Sequence, residues 1–175
     1  MIGNACSTNA FQLGECLGEA LVRAEGKGAL GYIGCTDESY WDEDYYWAVG
    51  IGPIKANPTY EETGLGMYDR AFHDNGEPET DWYTTQGQMM YAGNLAVTES
   101  NSIRSKYYWE IYTLLGDPSL MVYFSVPDPM VVTVPDILPV GIYNLHFQCE
   151  QNAYAALSID GKLLDATYTL SLIHI

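Results

Sequence analysis

The chain has 175 residues and a mass of 19.4 kDa, enough for one large or two small domains that bury a real core. Hydrophobic residues make up 47% and charged residues 17%, which excludes a disordered chain, and no apolar run of about 18 residues is present to cross a membrane. Seven basic against 23 acidic side chains give a formal charge of −16, which argues against nucleic acid as a partner; the acidity suits calcium, a cationic substrate, or simple solubility in a secreted protein.

In chain order, Met1-Ile2 reads as the end of a buried strand, followed by the small residues Gly3-Asn4-Ala5 and then Cys6. From Glu15 to Glu25 the apolar residues Cys16, Leu17, Ala20, Leu21 and Ala24 recur at a helical period, and Gly26 and Gly28 end the helix. Ala29 to Cys35 is a short apolar run, read as a buried strand. Strand, helix and strand in this order form a βαβ unit, which predicts an α/β fold with a parallel sheet covered on both faces. Thr36 to Asp44 reads as a polar loop leaving the same sheet edge as Cys6, and Pro53 to Trp82 as a long acidic loop with little regular structure. Gln86 to Thr98 and Ile103 to Leu115 read as helices, and Ser119 to Phe124 as a returning strand.

After Val126-Pro127-Asp128-Pro129 the texture changes to short alternating strands: Met130 to Val134, Ile142 to Cys149, Ala153 to Ile159 and Lys162 to Thr167. Asp160-Gly161 between the last two is a type I′ hairpin signal. The expected division is therefore residues 1–125 as an α/β part and 126–169 as a truncated β-sandwich of immunoglobulin type. Residues 170–175 are set aside as a non-native tail.

The cysteines Cys6, Cys16, Cys35 and Cys149 show no CxxC spacing and no histidine pairing, which argues against a thiolate metal site. Cys16 and Cys35 lie in apolar patterns and read as packed thiols. Cys6 is flanked by Asn4, Ser7, Thr8 and Asn9, beyond a strand. That is where open α/β sheets place reacting groups, and a thiol there can serve as nucleophile beside a base.

Several motifs together carry a resemblance: Ile2-Gly3-Asn4-Ala5-Cys6, Cys16-Leu17-Gly18-Glu19, Gly28-Ala29-Leu30-Gly31-Tyr32-Ile33-Gly34, Ser39-Tyr40-Trp41-Asp42-Glu43-Asp44-Tyr45-Tyr46-Trp47, Tyr91-Ala92-Gly93-Asn94-Leu95-Ala96, Tyr107-Tyr108-Trp109-Glu110 and Leu115-Gly116-Asp117. From Ile2 to about Tyr123 the chain resembles the gingipain family of cysteine peptidases, most of all its lysine-specific branch. The resemblance implies the C-terminal part of a caspase-like catalytic domain, a secreted or cell-surface location, and protein or peptide substrates cleaved after Lys or Arg. The weaker segment after Val126 is similar to the immunoglobulin-like domain that follows in that family.

By matching position, the resemblance makes Cys6 the nucleophile and Asp44 the floor of the pocket for the substrate's cationic side chain. Trp41 would line that pocket, where its ring could cover the lysine methylene stem. The alternative for Asp44 is one of five acids on a solvated loop. Phe11, through its carbonyl, and Glu19 match positions associated with calcium, with further ligands expected upstream; Glu19 also reads as an exposed helix residue. In the family the imidazole comes from a His-Gly pair on the preceding strand. None of His73, His146 and His174 is followed by Gly, so the base is expected outside this chain and the chain alone is expected to be inactive. Where the lysine-specific relatives carry a second cysteine, this chain has Ala5. The competing functional reading is a non-catalytic surface adhesion or binding protein that retains the fold.

Overall fold

The computed structural model describes the chain except residues 65, 69–77, 79–81, 124–125, 127, 138–140, 142–143, 151–152, 170–172 and 175. Its contacts divide it into two units, Met1–Phe124 and Ser125–Ile175.

The first unit is organised around a three-stranded sheet in the order β1 (Ile2–Gly3), β2 (Tyr32–Cys35), β3 (Tyr112–Leu115). β1 and β2 are parallel, with Ile2 opposite Ile33, as a βαβ unit requires. β3 runs antiparallel to β2, with Cys35 opposite Tyr112, so the sheet is mixed rather than parallel as expected. All four residues of β2 are buried, the mark of a central strand covered on both faces.

Helix α1 (Leu17–Arg23) connects the two parallel strands. Its expected apolar face is only half right, because Leu17 and Ala20 are exposed and Gly18 is the buried position. A close approach by a residue without a side chain leaves no mark in an apolar count. On the other side of β2, Ile33 and Cys35 join a core with Trp47, Met67, Met89, Val97, Tyr108, Ile111 and Tyr112.

Helix α2 (Trp41–Ala48) begins inside the stretch expected to be a loop. Charge masked it: Asp42, Glu43 and Asp44 fill its first turn, where carboxylates oppose the positive end of the helix dipole. Glu43 is 5% exposed, accepting from Ser102 Oγ at 2.6 Å and pairing with Arg104 Nη1 at 3.3 Å. The long acidic stretch that follows contains a one-turn helix, α3 (Tyr60–Thr63), with Thr59 and Glu62 as a reciprocal N-terminal cap. Asp69, His73 and Asp74 lie outside the described residues.

Helix α4 (Gln86–Glu99) matches its expected span to one residue, and Thr85 Oγ1 caps it by accepting the Gln88 N–H at 3.3 Å. Helix α5 (Ser105–Ile111) is shorter than expected, because the chain turns directly into β3. The spacing of Ile103, Tyr107, Ile111 and Leu114 continues a helical period, yet Tyr112-Thr113-Leu114-Leu115 completes the ladder of β2 instead. Pairing outweighed local period. Ile103, the first residue of that period, is exposed. The strand expected at Ser119–Phe124 reduces to an isolated bridge between Thr85 and Met121, and Phe124 lies outside the described residues.

In the second unit, β5 (Tyr154–Ile159) and β6 (Lys162–Tyr168) form a hairpin. Its turn residues Asp160 and Gly161 have φ of 48° and 76°, the pair of positive values a type I′ turn demands. β4 (His146–Phe147) pairs antiparallel with β7 (Ile173–His174), so residues set aside as a tail take part in a ladder. Met130–Val134 forms no strand, only a bridge from Thr133 to Gln148, and Ile142 lies outside the described residues.

Candidate active site

Residues 4–9 cross the carboxyl ends of β1 and β2 and are stitched down from both sides. Asn4 Nδ2 donates to the Asp44 carbonyl at 2.9 Å, while Tyr112 donates to Asn4 Oδ1. Thr8 Oγ1 donates to the Gly3 carbonyl at 3.0 Å, and the Asn9 N–H reaches the Cys35 carbonyl at 2.8 Å. Asn9 is fully buried, and its amide donates to Thr113 Oγ1 at 3.0 Å and to the Thr113 carbonyl at 3.1 Å. Ser7 has φ of 56° and donates its N–H to the Asp37 carbonyl at 2.9 Å. The tight turn this makes leaves Cys6 exposed at its apex.

The Cys6 sulfur faces one residue. The Ser39 N–H donates to Sγ at 3.3 Å, Ser39 Oγ lies 3.6 Å away, and Sγ is 3.5 Å from the Ser39 carbonyl. The N–H of Cys6 itself makes no hydrogen bond among the described residues, so it is available to an oxyanion beside the sulfur.

Ser39 also reaches the expected pocket acid: its hydroxyl donates to Asp44 Oδ2 at 2.6 Å. Asp44 Oδ1 lies 2.9 Å from the Tyr108 hydroxyl, whose single proton it shares with the Tyr40 carbonyl at 3.1 Å, and 3.1 Å from the Tyr112 hydroxyl, whose proton it shares with Asn4 Oδ1. Burial pushes both phenols well above their ordinary pKa of 10.0, so both remain protonated donors. Among the described residues no Lys, Arg or His pairs with Asp44. Among the described residues the carboxylate is thus half-buried, with three hydroxyls around it and no counter-charge. The solvated-loop reading of Asp44 does not describe this setting. It does describe Asp42, which is exposed one turn from the core.

Trp41 opens the same helix three residues before Asp44, a spacing that puts both on one face. Its ring is 92% exposed, a rim position rather than a packed wall. Cys35, at the end of β2, is a different kind of thiol: it is fully buried, and burial pushes its pKa up to about 12. Cys16 is half-buried, and all four cysteines are free thiols.

Phe11 lies on an exposed single-turn 3₁₀ helix (Phe11–Leu13), and Glu19 Oε2 accepts the Cys16 N–H at 3.1 Å as part of the α1 cap. Calcium takes six to eight oxygens. Among the described residues no group of three or more His, Cys, Asp or Glu converges to hold a metal. One carbonyl and one carboxylate already engaged in capping do not make up such a shell. His73 lies outside the described residues, and His146 belongs to the second unit.

The pattern reading missed the partners that organise the site: Asn4, Ser39, Tyr108 and Tyr112. Tyr108 and Tyr112, four apart, carried a signal of one shared face, but aromatic residues at that spacing read as core. Ser39 opens one of the quoted motifs, but nothing there marked a role for it, since that role arises from two neighbours, Cys6 and Asp44, far apart in the chain.

The family model "Peptidase family C25" matches residues 1–123. The chain is 40% identical over 170 residues to Lys-gingipain of Porphyromonas gingivalis, a match covering 93% of this chain and 10% of that protein. Lys-gingipain W83 of the same organism matches equally, so the chain spans about a tenth of the length of these curated relatives. A solved structure described as "Structure of Protease" superposes with a TM-score of 0.85 at 37% identity, covering 98% of this chain and 39% of the other. The crystal structure of the Arg-specific cysteine proteinase gingipain R superposes with a TM-score of 0.75 at 24% identity, covering 96% and 36%, and at that identity shares the fold.

Proposed function

The chain belongs to peptidase family C25, and from that premise we propose that it is the nucleophile-bearing part of a secreted or cell-surface cysteine endopeptidase that cleaves after lysine. One observation carries the reading. Among the described residues, a carboxylate without a counter-ion and an exposed sulfur at a strand end share a single serine, with Asp44 on its hydroxyl and Cys6 on its amide. A half-buried carboxylate held only by neutral donors is set up to receive a cation, and a lysine ammonium supplies one.

In this mechanism the Cys6 thiolate attacks the carbonyl carbon of the residue whose side chain reaches Asp44. The free Cys6 N–H supports the oxyanion, and the amine leaves with a proton from an imidazole. The family resemblance implies that the imidazole is carried upstream of Met1 on a His-Gly pair, in the remainder of a caspase-like domain. Trp41, at the rim on the Asp44 face of α2, is suited to cover the methylene stem of the bound lysine. The segment after Val126 is assigned in the same way to an immunoglobulin-like module. The turn geometry at Asp160-Gly161 supports this without requiring it.

The test uses the protein extended upstream of Met1. A lysyl chloromethylketone is expected to alkylate Cys6, and Cys6→Ser to abolish labelling. An arginyl reagent of the same reactivity is expected to label at least tenfold more slowly. Failure of the extended protein to react with either reagent overturns the proposal in favour of a non-catalytic surface protein.

A further inference from the structure

We propose that Ser39 is a positioning residue that makes Cys6 more nucleophilic only when a cation occupies Asp44. The inference rests on the reading of Asp44 as a cation-binding carboxylate, and extends it to a link between recognition and reactivity.

The geometry is that of a hydroxyl with two acceptors and one proton. Ser39 Oγ lies 2.6 Å from Asp44 Oδ2 and 3.6 Å from Cys6 Sγ. The first distance is that of a short O–H···O⁻ bond, so without ligand the proton is committed to the carboxylate. The second is a contact in which either atom can donate, and it carries no proton from Ser39 while the first bond stands. The Ser39 N–H, by contrast, is fixed on Sγ at 3.3 Å and cannot change partners, because the backbone holds it.

A primary ammonium arriving at Asp44 competes for Oδ2 with three N–H donors and a full charge. It also leaves Oδ1 to the Tyr108 and Tyr112 hydroxyls, which lie 2.9 Å and 3.1 Å from it. The displaced Ser39 hydroxyl then turns about its Cα–Cβ bond to the sulfur of Cys6, 3.6 Å away. No bond is made or broken in this step beyond the exchange of hydrogen bonds. A thiolate that gains a second donor has a lower pKa and a larger ionised fraction at neutral pH. A peptide lacking the cation docks without drawing the serine away, and Cys6 keeps one donor only. The arrangement spares the exposed thiol from reagents and oxidants in the resting state, and raises its reactivity in the complex that can use it.

The experiment reads Cys6 directly in the 175-residue chain and needs no catalytic imidazole. The rate of iodoacetamide alkylation of the Cys6 peptide is followed by mass spectrometry from pH 5 to 10. The ligand is N-acetyl-lysine-methylamide, with N-acetyl-norleucine-methylamide at the same ionic strength as the uncharged control. Saturating lysine amide is expected to lower the apparent pKa of Cys6 by about one unit and so raise its alkylation at low pH about tenfold. The norleucine amide is expected to do nothing. Ser39→Ala should keep only the through-space effect of the bound cation, and Ser39→Thr should restore the full shift.

An equal shift in wild type and Ser39→Ala overturns the proposal while leaving cation binding at Asp44 intact. No shift in wild type, with no lysine-amide binding by nuclear magnetic resonance, overturns it together with the cation-site reading. If Ser39→Ala does not fold, Asp44→Asn supplies the second arm. Neutralising the carboxylate should free the serine, raise Cys6 reactivity without ligand, and abolish the response to lysine amide. Unchanged Cys6 reactivity in Asp44→Asn overturns the link.

Discussion

Tyr108 places its hydroxyl 2.9 Å from Asp44 Oδ1 and accepts the Tyr40 N–H at the same distance, so one phenol joins Asp44 to the residue at the N-terminal cap position of its helix. The ring is fully buried and stacks on Tyr112 with centroids 5.4 Å apart, and Tyr112 in turn stacks on Trp47 at 4.5 Å. The acid is therefore held from within the core, and its position is a consequence of packing.

Tyr108→Phe is expected to destabilise the first unit by about 1 kcal/mol, because a part-buried Tyr40 N–H and one lone pair of Asp44 lose their partner with little change in volume. Urea unfolding followed by tryptophan fluorescence measures it. A change below about 0.5 kcal/mol means that water replaces the phenol.

The four thiols should react in a strict order. Cys6 is exposed and Cys35 fully buried, with burial pushing Cys35 up to about 12. At pH 8 Cys6 is expected to alkylate first and Cys35 only on unfolding, slower by roughly a thousandfold or more. Peptide mapping after timed alkylation separates them. Labelling of Cys35 in the native state at a rate near that of Cys6 contradicts the packing described.

The same thiol sets an alkaline limit to stability. Below its ordinary pKa of 9.0, Cys35 is neutral in both folded and unfolded chains and contributes no pH dependence. Between 9.0 and about 12 the unfolded thiol ionises and the folded one does not, so unfolding becomes more favourable as pH rises. The loss approaches ~1.4 kcal/mol per pH unit. Tyr108 and Tyr112, also raised by burial, add to the slope above 10.0. Denaturation midpoints at pH 8, 9 and 10 should fall in that order, and Cys35→Ala should flatten the step from 9 to 10.

Gly93 lies on the buried side of α4 directly under Trp47, where an added Cβ would sit 2.1 Å from the indole Cε2. Gly93→Ala gains helix propensity of up to about 1 kcal/mol but must displace Trp47, whose Nε1 donates to Asn94 Oδ1 at 3.1 Å. A net destabilisation of about 1–3 kcal/mol is expected in the same urea assay. A more stable Gly93→Ala protein would show that α4 can move away from Trp47.

Some of this architecture was legible in the residues themselves. The order strand, helix, strand before Cys35, the span of α4 and the hairpin at Asp160-Gly161 all follow from local chemistry: apolar runs, periodicity and turn residues read within about fifteen positions. So did the family, because ordered motifs such as Ile2 to Cys6 and Ser39 to Trp47 survive without any knowledge of the fold.

What tertiary structure alone decided are the competitions between local tendencies. Tyr112 to Leu115 has the period of a helix and becomes a strand, because the open edge of β2 offers backbone partners that no window of sequence contains. Glu43 and Asp44 are adjacent acids on one helix turn. One is sealed against Ser102 and Arg104, and the other faces Ser39, Tyr108 and Tyr112, a difference of about 100° around an axis. Composition sees two carboxylates there. Only the fold, by choosing which side of α2 meets the core, makes one of them a structural anchor and leaves the other, among the described residues, an acid without a cation.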